Sequence, residues 1–85
     1  MLEDIEKEAK RLGYKTINYR GMLLNIQSQR GLTILIRKTP QQSYYVMLIK
    51  GREVLTLNIQ HKKLLLLLQA LALETENNIS SSEYY

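Results

Sequence analysis

The chain has 85 residues, 45% of them apolar, and a net charge of +4 from 12 Lys and Arg against 8 Asp and Glu. That length suits one domain, and the apolar fraction is too high for a disordered chain. With no cysteine and a single histidine, His61, disulfides and thiol chemistry are excluded, and zinc, haem and triad chemistries lack their usual ligands and bases.

Residues 2–12 predict a helix. Leu2, Ile5, Ala9 and Leu12 recur at three- and four-residue spacing and form one apolar stripe. Glu3 and Asp4 fall in the first turn and Lys10 and Arg11 in the last, in accord with the helix dipole. Gly13 is placed to close the helix in a left-handed conformation.

From Lys15 to Asn58 the period changes to that of strands. Segments 15–19, 22–28, 32–38, 43–49 and 52–58 are separated by breaks at Arg20-Gly21, Gln29-Arg30-Gly31, Thr39-Pro40-Gln41-Gln42 and Lys50-Gly51. This spacing predicts an antiparallel meander of four or five strands. Alternation places Met22, Leu24, Ile26, Leu32, Ile34, Ile36, Leu55, Leu57 and Ile59 on one face, taken as the core side under both helices. The second face carries Leu23, Asn25, Gln27, Thr33, Leu35, Arg37, Arg52, Val54 and Thr56. Its mixture of apolar and polar groups reads as a contact surface.

The last element is a helix from a cap near Asn58 to about residue 75. From Leu64 to Leu73 only Gln69 is not apolar, so the helix has no polar side. A stripe of about 100° suffices to pack on one sheet face, and the remainder predicts a covering partner, by default a second copy. Leu65, Leu66, Gln69 and Leu73 are the expected oligomer interface. Residues 77–85, NNISSSEYY, lack apolar periodicity and read as a disordered, acidic, tyrosine-ended tail after a single α+β domain over 1–76.

The charges are segregated. Between residues 9 and 73 eleven Lys and Arg face Glu53 alone, a local charge of +10 between two acidic ends. The meander gathers Arg20, Arg37, Lys38, Lys62 and Lys63, with His61, at one end of the sheet, and Arg30, Lys50 and Arg52 at the other. The second helix also opposes its own dipole, with basic residues at its start and Glu74 and Glu76 toward its end. Backbone N–H groups beside lysines suit an anion.

These features predict a small basic nucleic-acid-binding protein, homodimeric and non-enzymatic. Arg20, Arg37, Lys38, Arg52, Lys62 and Lys63 would grip phosphates, and Tyr45 would stack on exposed bases. The competing expectation is a protein–protein module, an adaptor or small subunit, meeting an acidic partner through the leucine helix and the second sheet face. No catalytic residue, metal ligand or cofactor is expected, because phosphate loops of the GxxxxGK or GxGxxG type are absent and Glu53 is the only carboxylate of the body. Glu3, Asp4 and Glu6 replace the apolar stretch of a signal peptide, and the run Leu64–Leu68 is far short of the roughly 20 residues that span a bilayer. A cytoplasmic protein without a membrane partner is therefore expected.

Overall fold

A computed structural model of the chain describes the backbone of residues 2–82 and the side chains of residues 2–73. Helix α1 (Leu2–Arg11) is followed by β1 (Lys15–Tyr19), β2 (Leu23–Gln27), β3 (Leu32–Lys38), β4 (Tyr44–Lys50), β5 (Glu53–Ile59) and helix α2 (His61–Ser82). The five strands form one antiparallel sheet in the order β1-β2-β3-β4-β5, and the fold is α+β. The helix continues past the end expected near residue 75. The side chains of the tail expected over 77–85, and the backbone from residue 83, lie outside the described residues.

Helix α1 buries Leu2, Ile5 and Ala9, the stripe that its spacing sets. Its end is a Schellman motif: the Tyr14 N–H donates to the Ala9 carbonyl and the Gly13 N–H to the Lys10 carbonyl, both at 3.0 Å. Gly13 takes φ 94°, which an L side chain rarely adopts. The cap turns Tyr14 into the core, where its hydroxyl donates to the Leu68 carbonyl of α2 at 2.8 Å.

The register places the core side chains opposite one another. Leu24 faces Ile36, and Ile26 faces Ile34. Ile34 faces Leu48, and Ile36 faces Val46. All of these except Leu48 are fully buried, together with Tyr44, Leu64 and Leu68. Thr16 and Asn18 share this side of β1, and both donate hydrogen bonds to the Glu6 carboxylate of α1. Both helices therefore lie on one face of the sheet.

The path of α2 decides which part of that face is covered. It starts beside Tyr44, whose hydroxyl is hydrogen-bonded with His61 Nδ1 at 3.1 Å. Farther along it meets Tyr14 through Leu68, and Gln69 Nε2 donates to Glu8 of α1 at 3.0 Å. The helix thus crosses diagonally from the end of β5 toward α1 and leaves the other corner of the face open. Leu55, placed in the core by alternation, is 56% exposed there. Met22 is also outside the core, at 72% exposure, because the β1–β2 turn carries it beyond the strand. Asn58 does not cap α2; it lies within β5, and the first helical bond runs from the Leu64 N–H to the Gln60 carbonyl.

Candidate functional site

The end of the sheet where β3 meets β4 is held by a compact turn. The Thr39 and Ser43 hydroxyls lie 2.7 Å apart, and the Thr39 N–H donates to the Ser43 carbonyl at 2.9 Å. This closure sets Lys38 opposite Tyr44 and Arg37 opposite Tyr45. Successive residues point to opposite faces, so the four side chains form two pairs separated by the sheet.

On the helix side, Lys38 Nζ lies 6.0 Å from the centroid of the Tyr44 ring. Tyr44 is 2% exposed, and its ring is tilted against His61 at a centroid distance of 5.7 Å. Lys62 and Lys63 follow, exposed, in a first helical turn that has no acidic residue. His61 is an anchor for the start of α2, a role with no sign in the local sequence.

On the open side, the Arg37 guanidinium lies over the Tyr45 ring at 5.8 Å. Leu23, Leu35 and Met47 join them around a shallow depression of about 280 Å³. The rest of this face carries Lys15, Ile17, Tyr19, Asn25, Gln27, Thr33, Ile49, Val54, Thr56 and Asn58, with Ile17, Tyr19 and Val54 about half exposed. The face contains no carboxylate. Near its middle, Asn25 Oδ1 is shielded from solvent with no hydrogen-bond partner. A shielded acceptor without a donor costs about 1–3 kcal/mol.

The expected basic cluster is therefore divided. Lys38, Lys62 and Lys63 share the helix side, Arg37 and Tyr45 share the open side, and Arg20 sits in the β1–β2 turn at the same end. Arg52 lies in the β4–β5 turn at the far end, away from the others. None of these six cations has a carboxylate partner among the described residues; the ion pairs there are Lys10–Glu6 and Arg11–Glu8, both within α1. Of the expected oligomer residues, Leu66 and Leu73 are 62% and 60% exposed, Leu65 is partly buried against the core, and Gln69 is engaged with Glu8.

The shifted titrations lie near α1 rather than at these cations. The Asn18 amide, helped by Lys10 and Thr16, holds the Glu6 carboxyl below its usual range against the opposing effect of burial. Arg11 and Gln69 do the same for Glu8, and Glu8 in turn raises Arg11. Burial pushes the Tyr14 hydroxyl up. Among the described residues no group of three or more His, Cys, Asp or Glu side chains could hold a metal ion, and no helix is long and apolar enough to cross a membrane. The chain matches no protein-family model, no curated protein and no solved structure.

Proposed function

We propose that the open sheet face binds single-stranded nucleic acid. The observation that carries this reading is a carboxylate-free face on which the Arg37 guanidinium lies 5.8 Å from the centre of the Tyr45 ring, beside an apolar depression. A guanidinium beside a tyrosine ring sets a positive charge next to an aromatic platform. Bases stack on such platforms without regard to sequence, worth about 1–3 kcal/mol per base, while the positive charge meets the backbone. Tyr19 lies on the same face at the same end, three strands away on β1. At about 4.8 Å per strand that is roughly 14 Å, room for a strand to cross the sheet and reach both rings. Arg20 borders the path in the β1–β2 turn, next to Tyr19.

Duplex nucleic acid suits this surface less well. Its bases are already stacked, and the chain presents no cationic helix face to a groove: in α2 the lysines occupy the first turn only. The test is the fluorescence anisotropy of labelled single- and double-stranded oligonucleotides at low and moderate salt. Tighter binding of single strands, with affinity falling as salt rises, is the expected result. Failure to bind at low salt, or a flat salt response, overturns it.

A protein partner is the second reading, favoured by Leu66 and Leu73 on the helix side. An acidic partner would be drawn to the uncompensated lysines there. A pull-down repeated with nuclease separates the two, since partners held through nucleic acid are lost on digestion and direct partners remain.

A further inference from the structure

The two edges of the sheet are not alike. β1 has five residues, begins at Lys15 and runs into Arg20, and α1 packs beside it. β5 has seven residues, Glu53–Ile59, without proline, cation or break in register. Free edges are normally blunted by shortness, lysine, proline or a bulge. β5 has none of these, and Val54 and Leu55 are 58% and 56% exposed.

The hairpin geometry says which backbone groups are free. Gly51, at φ 61°, occupies the first central position of the Gly51-Arg52 loop, as in a type II′ turn. Lys50 and Glu53 flank the loop and form a hydrogen-bonded pair. The alternation that follows turns the backbone groups of Leu55, Leu57 and Ile59 toward β4. Those of Val54, Thr56 and Asn58 point to the open edge.

We propose that β5 pairs antiparallel with β5 of a second copy across a two-fold axis at Thr56, joining two sheets into one of ten strands. The occupant follows from self-complementarity. With the axis at Thr56, Val54 pairs with Asn58 of the second copy and Thr56 with Thr56, so every outward backbone group from Val54 to Asn58 is used. On the helix side, Leu55 comes beside Leu57 of the second copy, which covers the corner that α2 leaves open. Charge selects the same partner. Glu53, unpaired among the described residues, comes beside Ile59 of the second copy and hence near the start of its α2. There a carboxylate meets the positive helix end with His61, Lys62 and Lys63, which lacks an acidic residue of its own. Segment 53–60 is also free of cations, so two basic bodies meet where they repel least. This inference stands apart from the nucleic-acid reading. The Lys15 edges remain outermost, so the assembly stops at two.

The test uses the full chain, which has no native cysteine to interfere. Sedimentation equilibrium of the wild type gives about 20 kDa, twice the 10.0 kDa chain mass. Thr56→Pro removes an outward N–H and leaves the β4 ladder intact, so the mass halves. Leu66→Lys with Leu73→Lys leaves the dimer in place. In Thr56→Cys, mild oxidation links two copies at the axis, where hydrogen-bonded residues lie about 5.5 Å apart, within disulfide range. Cross-linking at Leu66→Cys is at least tenfold slower. The cross-link decides the matter if Thr56→Pro fails to fold. A monomeric wild type, a dimer lost only in the α2 variant, or faster cross-linking at Leu66→Cys overturns the proposal.

Discussion

Tyr14→Phe isolates one hydrogen bond that ties α2 to the rest of the fold. The hydroxyl is buried and donates to the Leu68 carbonyl at 2.8 Å, while the ring packs in the core with Ala9 and Leu68. Phenylalanine keeps the ring and deletes only the donor. A net intramolecular hydrogen bond is worth about 0.5–1.5 kcal/mol, and the Leu68 carbonyl retains its place in the helical ladder. A loss near 1 kcal/mol lowers the melting temperature of a domain this size by about 4–8 °C. Burial raises the Tyr14 pKa above its ordinary 10.0, which makes the effect depend on pH. The unfolded chain releases this proton more readily than the folded one, so the contribution is full below 10.0 and is lost as pH rises through the folded value. Each unit above 10.0 costs the wild type up to about 1.4 kcal/mol as long as folded Tyr14 stays protonated. The phenylalanine variant has no such loss. Thermal melts of both proteins from pH 7 to 11 therefore show a gap of several degrees that closes in the alkaline range. Equal melting temperatures at pH 7, or a gap constant to pH 11, would refute the reasoning.

Leu68→Ala removes a fully buried side chain from the contact of α2 with the sheet; urea unfolding is expected to show a loss of about 2–5 kcal/mol. Leu66→Ala, at an exposed position, is expected to stay within about 0.5 kcal/mol of the wild type in the same assay when measured on monomer. Glu6 and Glu8 are both held below the usual carboxylate range, so their stabilisation is present above the ordinary value of 4.5 and is lost as pH falls through the lower folded values. Glu6→Gln is expected to flatten the acid limb of a pH–stability curve, and an unchanged limb contradicts the Asn18 and Lys10 contacts as its cause. Tyr45→Ala is expected to weaken single-strand binding by about 1–3 kcal/mol, roughly 5- to 150-fold, without changing the salt slope, because it removes a stacking surface and no charge. Arg37→Ala is expected to reduce both affinity and slope.

Features carried by local spacing were legible in the amino-acid sequence. The stripe of Leu2, Ile5 and Ala9, the stop at Gly13 and the meander all follow from periods and turn residues, with strand ends displaced by a residue at most of the hairpins. Leu55 shows where this reasoning stops: alternation assigns a side chain to a face and says nothing of what covers it. The cover depends on the direction of α2, set by Tyr14–Leu68 and Glu8–Gln69 contacts across 54 and 61 residues. Such pairings leave no local pattern. The site was legible in the same measure. Chain reversal gathers Arg20, Arg37, Lys38, Lys62 and Lys63 at one end, but the pleat sends Arg37 and Lys38 to opposite faces. The packing of His61 on Tyr44 and the shielded Asn25 Oδ1 depend on neighbours distant in sequence.

Amide chemical-shift mapping during titration of the full chain with a short single-stranded oligonucleotide tests the open-face reading most directly. The expected result is a continuous set of perturbed residues on β1 to β4 that includes Tyr19, Leu23, Arg37 and Tyr45, with Lys62, Lys63 and Leu66 little changed. Perturbations centred on the start of α2, or none at saturating oligonucleotide, would contradict it.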